Sequence, residues 1–247
     1  QETPRSKGSP GNDPCVELET RAGIWKFDES QKNQQQEQSK RYATGIRNAV
    51  ALTWNNKTNS LFFVQHGRDD LHRFWPDLFT EDENVQLPAE EFHEVTEEDQ
   101  DFGWPYCFYN PFEGKRFLNP EYGGDGKITT RCEDQAKPVV AFPGHWGPND
   151  ILFYKGNQFP SRYKNGAFIA FHGSWNRQKL TGYKIIRIDF DKKGRLKNNG
   201  CEDFITGWLP SEDSNEVWGR PVGLLMLADG SMLITDDGAK KIWRVTY

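Results

Sequence analysis

GRPVGLLMLADGSMLITDDG, residues 219–238, is the stretch from which the fold is read. Two short apolar runs, 223–227 and 232–235, flank the pair Asp229-Gly230. Asp-Gly between apolar runs is a hairpin signal, because a tight turn needs the positive φ that glycine adopts without steric cost. The unit opens on Gly219-Arg220-Pro221 and closes on a polar residue followed by glycine, Asp237-Gly238. Two other stretches follow the same plan. Residues 45–48 precede an apolar run, a polar turn at 55–59, a second run ending Val64-Gln65, and then His66-Gly67. Less closely, Gly147-Pro148-Asn149 precedes a run at 151–154, an insertion at 155–165, a run at 167–171, and then His172-Gly173. Loop, strand, turn, strand, then a polar residue and a glycine describes a blade of a β-propeller, with glycine freeing the backbone where strands converge.

Working outward, β-type runs also occur at 139–142, 183–190 and 241–245, each rich in Val, Ile, Phe or Tyr and bounded by turn residues. No 12-residue stretch keeps a 3.6 period. The class is therefore all-β, with a two-sheet sandwich as the alternative to a propeller. At roughly 40–50 residues per blade, the 247 residues supply about four to five blades, fewer than a six-bladed ring requires. Residues 1–14 read as an irregular polar segment without the charged-then-apolar pattern of a signal peptide, and 15–247 as the propeller domain. The polar run QKNQQQEQSK at 31–40 reads as a solvated loop.

Composition limits the function. With 31 basic and 36 acidic residues the net charge is −5, which gives no electrostatic footprint for nucleic acid. The longest clean apolar run, 223–228, falls far short of the roughly 20 residues that span a bilayer. Nine Trp, eight Tyr and seventeen Phe can build a core from large rings in a chain only 35% apolar. The four cysteines form no CxxC pair, which disfavours thiolate metal sites. Cys107 and Cys132 bracket a segment that reads as a surface excursion, where a disulfide would restrain the unfolded loop by roughly 3 kcal/mol. Pairing of Cys15 and Cys201 is not legible.

The pattern places Arg47, His66, Arg68, His145, His172, Arg177 and Arg220 at similar points of several units, the strand ends and loops that line a propeller's axial mouth. Guanidinium groups crowded at low dielectric call for an anionic occupant such as a polycarboxylate or a phosphorylated ligand. Trp146, Trp175, Trp218 and the aromatics of FGWPY at 102–106 suit a planar ligand or a sugar face, or else packing between blades. His145 and His172 are the titratable groups able to take a proton near neutral pH. Asp69-Asp70 and Asp236-Asp237 carry hard oxygen donors, but read as solvated turns. There is no G-x-S-x-G elbow, phosphate loop or dinucleotide fingerprint.

Together the strings ATGIRN (43–48), QHGRDDL (65–71), FGWPYC (102–107), QFP (158–160), HGSWNR (172–177) and GRPVG (219–223) resemble the soluble glucose/sorbosone dehydrogenase family. The resemblance implies a six-bladed propeller, represented here by its C-terminal part, that uses pyrroloquinoline quinone (PQQ) and calcium. It implies that Arg47 and Asn48 sit over the reactive quinone carbonyl, with Arg47 stabilising the developing oxyanion. Arg177 and Arg220 would clamp carboxylates of the planar tricarboxylate, Trp146 and Trp175 would flank its rings, and backbone carbonyls of Gly67 and Arg68 would hold calcium. The implied reaction oxidises an aldose or related aldehyde outside the cytoplasm, in an extracellular or periplasmic setting, and passes electrons to an acceptor such as a cytochrome. The family's catalytic histidine belongs to an early blade with no counterpart here, and Val222 stands where the family has a second clamp arginine. Beside Arg47, His172 is the catalytic candidate this chain contains, as a contact to substrate or cofactor and not as the missing base. An inactive propeller that binds carbohydrate or protein, and a calcium-dependent lactonase with Asn48 and Asn149 near one metal, are the alternatives.

Overall fold

The computed structural model describes residues 6–247, the side chains of 198 and 199 apart. Residues 1–5 of the expected irregular segment lie outside the described residues. The chain is all-β of the propeller type and divides into two compact units.

The larger body of strands lies in the unit formed by Ala49–His66, Glu90–Glu94 and His145–Tyr247. It contains three consecutive antiparallel meanders. The first runs Ala49–Asn55, Ser60–Gln65, Glu90–Val95; the second Pro148–Phe153, Ala167–Phe171, Lys184–Phe190, Leu196–Ile205; the third Pro221–Met226, Met232–Asp236, Lys241–Val245. The repeat legible in the sequence is this one, and strands 167–171 and 241–245 fall where they are expected. Asp229-Gly230 forms the predicted turn, with Gly230 at φ 85° and its N–H donating to Leu227 O at 2.9 Å.

The meanders stack like blades. Strand 148–153 packs against both 49–55 and 221–226. Between the first two meanders, Phe62 and Phe92 meet Phe153 and Phe190 with ring centres 5.0–6.4 Å apart, a distance at which edge-on and tilted aromatic pairs attract. Between the second and third, Tyr154, Phe168, Tyr183 and Ile185 bury against Trp208, Leu224, Met232 and Ile234. The outer strand 196–205, LKNNGCEDFI, is not recognisable from hydrophobicity. It pairs on one side only, Ile188 facing Cys201, and a blade's outer edge tolerates polar residues.

The other unit, the chain up to Asn48 with Gly67–Ala89 and Val95–Gly144, has shorter elements. Strand Gly23–Lys26 runs antiparallel to Lys40–Thr44, which pairs in parallel with the two-residue strand Gln100–Asp101. Helix Glu81–Gln86 starts in a capping box, Thr80 Oγ1 accepting from Glu83 N at 3.1 Å and Glu83 returning a carboxylate to Thr80 N at 2.8 Å. The Cys107–Cys132 disulfide is present, whereas Cys15 and Cys201 are free thiols. The segment it closes departs from a surface excursion: Cys107–Asn110 and Lys115–Leu118 form a largely buried hairpin, with Phe108 and Phe117 packed on Leu71, Phe79 and Leu87. Its aromatic residues, not its turns, decide where it goes.

Candidate functional site

Arg47, Asn48, Gly67 and Arg68 fall in one unit. The backbone reaches Arg47 through Gly45, at φ 70°, where a Cβ would collide with the Asp101 carboxylate. Gly45 O then accepts from Trp104 N at 2.8 Å, which brings the indole beside the Arg47 guanidinium, 5.8 Å from ring centre to Cζ. Arg47 Nη1 donates to Gly67 O at 2.6 Å and Nη2 lies 3.6 Å from Asp69. Its half-buried side chain lines a cleft of about 760 Å³ together with Arg21, Cys15, Trp104 and Tyr122. Burial pushes the Tyr122 hydroxyl far above its ordinary range, so it is a neutral donor at any physiological pH.

Arg68 does not join a cluster of open cations. Its guanidinium, 2% exposed, makes a bidentate pair with Glu121, at 2.6 and 2.7 Å, and donates to Asn119 Oδ1 at 3.0 Å. Sequence position alone could not show this, because Glu121 is 53 residues away in the chain.

Trp146, His172, Trp175, Arg177 and Arg220 fall in the other unit. The loop after strand 167–171 is pinned by His172 N to Gly147 O at 2.8 Å, Gly173 N to Trp146 O at 2.9 Å, and Ser174 N to Thr181 O at 2.9 Å. Gly173, at φ 94°, presses on Tyr183: a Cβ there would stand 2.5 Å from the ring. Arg220 lies on the same ring, with Cζ 5.0 Å from its centre. His172 Nε2 faces the Asp237 carboxylate at 2.9 and 3.1 Å. Trp146 is covered by Lys184, with Nζ 4.4 Å from the ring centre, and by the edge of Phe171, whereas Trp175 is 75% exposed. Arg177 borders a second cleft of about 410 Å³ with Thr181, Gly182 and Lys184, and its half-buried position lowers its guanidinium from the ordinary value. His145, at φ 67°, has its N–H on Glu90 at 2.8 Å and accepts at Nδ1 from Asn176 at 3.1 Å. His66 donates to Pro148 O at 3.0 Å.

Asp236-Asp237 departs most from expectation. Asp236 is 2% exposed and accepts four hydrogen bonds, from the indoles of Trp208 and Trp243 at 2.7 and 2.9 Å and from the N–H of Arg220 and Ala239 at 2.8 Å each. The signal was present: Met232, Ile234 and Asp236 share one face of their strand, and the first two are core. Asp236 thereby fixes the start of the Arg220 loop, and Asp237, on the opposite side, reaches His172.

Among the described residues no group of three or more His, Cys, Asp or Glu side chains is placed to hold a metal. Carbonyl oxygens of Pro88 and Ala89 lie 2.8 and 2.7 Å from where a Cβ on Gly67 would stand, so hard oxygens do surround that backbone.

Stacked antiparallel meanders, with basic and aromatic residues in the loops at their strand ends, define a fold of the β-propeller type. The chain belongs to the TrAA12-like family, whose model matches residues 6–247. It is 37% identical over 205 residues, 83% of this chain and 48% of the relative, to an uncharacterized protein of Borreliella burgdorferi. Over 216 residues, 76% of this chain and 28% of the relative, it is 27% identical to a pyrroloquinoline quinone-dependent pyranose dehydrogenase of Coprinopsis cinerea. The fold superposes on a Trichoderma reesei family AA12 structure with TM-score 0.76 at 19% identity, covering 97% of this chain and 63% of that one. On the holo pyranose dehydrogenase PQQ domain from Coprinopsis cinerea it gives 0.72 at 20% identity, with 98% and 66% covered. The chain thus spans less than half the length of the curated relatives it matches.

Proposed function

We propose that the chain forms part of a PQQ-dependent oxidoreductase that oxidises an aldose or related sugar. The observation that carries the reading is Arg47: a guanidinium held on Gly67 O and beside Trp104, yet open to a cleft large enough for a planar ligand and a sugar. The family match over residues 6–247 and the pyranose dehydrogenase relative support it.

By residue type, guanidinium groups and indoles suit a planar tricarboxylate. In this reading Arg47 and Asn48 would supply donors where negative charge develops, Arg177 and Arg220 would pair with carboxylates, and Trp146 and Trp175 would flank the rings, Trp175 being the indole that is 75% exposed. PQQ, when bound, supplies the two-electron oxidant that takes the carbon-bound hydrogen as hydride. The chain's own contribution is to orient the sugar, exclude water and accept the hydroxyl proton, and His172 is the residue assigned to that proton.

Calcium fits less well at its implied place. The Gly67 oxygen already accepts from the Arg47 cation at 2.6 Å, so an ion there would share the atom with a guanidinium. We assign calcium as the accompanying ion, in keeping with a calcium structure of the Trichoderma reesei AA12 protein. An extracellular or periplasmic location accords with the disulfide, and the acceptor is a cytochrome or similar external carrier.

The test is titration of the full chain with PQQ and calcium, followed by absorbance and thermal unfolding, then a panel of aldoses. Saturable binding, a raised melting temperature and sugar-dependent bleaching of the quinone are expected. Absence of binding overturns the reading for this chain, and Arg47→Ala is expected to weaken binding about tenfold or more.

A further inference from the structure

We infer that Asp237 is a positioning residue that fixes the tautomer of His172, leaving His172 Nδ1 as the proton acceptor. The inference rests on the oxidoreductase reading above.

Both oxygens of Asp237 approach the same ring nitrogen, Nε2, at 2.9 and 3.1 Å. A carboxylate only accepts, so Nε2 carries the proton and the lone pair of the neutral ring lies on Nδ1. Nδ1 makes no hydrogen bond among the described residues, and the ring is partly exposed. The other histidines are arranged differently. His93 also meets a carboxylate, Glu91 at 3.0 Å, but it is fully buried and stacked on Phe63. His145 uses Nδ1 to accept from Asn176, His72 uses Nδ1 on Phe79 O, and His66 donates to Pro148 O. Among the described residues, His172 is the histidine that combines a carboxylate on Nε2 with a partly exposed ring whose Nδ1 makes no hydrogen bond. Carboxylate, imidazole and a reacting hydroxyl in that order is the arrangement that holds a base in the correct tautomer and stabilises the imidazolium it becomes.

The orientation is built, not incidental. His172 N is anchored on Gly147 O, and Gly173, its neighbour, is wedged on Tyr183. From the other side, the turn bearing Asp237 is held by Asp236 through Ala239 N and Arg220 N. In the step, the sugar O–H bond breaks and its proton passes to His172 Nδ1. The adjacent C–H breaks as C=O forms, and the hydrogen leaves with both bonding electrons as hydride to the quinone oxidant. The imidazolium then pairs with Asp237 and releases the proton to solvent.

Two measurements test this on the full chain, with Asp237→Ala and Asp237→Asn as variants and thermal unfolding as the check that each is folded. Nitrogen-15 NMR of the cofactor-free protein reads the tautomer. The His172 ring is expected almost wholly in the Nε2-protonated form, to become a mixture in Asp237→Ala, and to shift toward Nδ1–H in Asp237→Asn, whose amide can donate to Nε2. With PQQ and calcium loaded, both variants should lose about 10²-fold or more in kcat for sugar-dependent quinone reduction, with KM changed less than about threefold. A wild-type ring in the other tautomer, a tautomer unmoved by Asp237→Ala, or an unchanged kcat in a folded variant overturns the inference. The tautomer as stated but no sugar oxidation by the wild type overturns the oxidoreductase reading and, with it, the proton-acceptor role, leaving Asp237 a purely structural partner.

Discussion

The dipeptide Asp-Asp occurs at 69–70 in one unit and at 236–237 in the other, and its two occurrences do opposite work. Asp69 and Asp70 stay at the surface: Asp69 lies 3.6 Å from Arg47, and Asp70, at φ 67°, opens the four-residue helix Leu71–Phe74 and reaches Arg73 at 3.6 Å. Asp236 is buried under four donors while Asp237 faces out to His172. The difference lies in what precedes each pair. At 232–236 a strand with a buried face delivers alternate residues inward, whereas at 69–70 the chain has already left its strand at Gln65. The identical dipeptide is thus a core hub in one place and a surface turn in the other.

The comparison can be broken most directly by mutation. Asp236→Ala removes a buried acceptor from two indoles and two backbone N–H groups and is expected to cost about 3–5 kcal/mol, measured by urea unfolding. In the other unit the equivalent loss comes from the buried Arg68–Glu121 pair. Glu121→Ala, which strands a guanidinium, should also cost about 3–5 kcal/mol. If Asp69→Ala matched either, the contrast between the two turns would fail.

Smaller effects sharpen it. Replacing Cys107 and Cys132 by Ser opens a loop of sequence separation 25 and is expected to cost about 3 kcal/mol, a covalent contribution with no counterpart in the other unit. Two carboxylates there should respond to pH with opposite sign. Burial alone would raise Asp236, but donors from Ala239, Trp243, Arg220 and Trp208 hold it below its ordinary 3.8. Its stabilising contribution is present above about that pH and is lost as the pH falls below it. Asp150 is raised above 3.8 by burial, against the N–H groups of Leu224 and Ile151. Its native form holds the proton more tightly, so stability is fullest below that pH and declines as the pH rises through the folded value. Urea midpoints from pH 3 to 7 should show Asp236→Asn flattening the acid limb and Asp150→Asn flattening the decline above it. Smallest of all, Asp69→Ala should change stability by about 0.5 kcal/mol or less, with the effect fading in 0.5 M salt.

Much of the fold was legible because a period-2 pattern between turn residues is a local property. The runs at 167–171 and 241–245, the Asp229-Gly230 turn and the recurrence of loop, strand, turn and strand need only neighbours within about twenty residues. Strands 196–205 and 107–110 were not legible. The first is a polar outer edge, and the second is an aromatic-rich hairpin hidden behind Gly and Pro. For the site, local motifs identified Arg47, His172, Arg177 and Arg220 as chemically apt residues. They could not show that Arg68 is bound to Glu121, that Trp146 lies under Lys184, or that Asp237 meets His172.

What the sequence by itself determined is the all-β class, the blade-like repeat and the set of residue types at strand ends, because each follows from spacing along the chain. What only the tertiary structure decided is which charges are neutralised and which remain available. The Arg68–Glu121 contact spans 53 residues and the His172–Asp237 contact 65. A charged group's role is set by the dielectric and the partners around it, and those come from strands that meet only once the chain has folded.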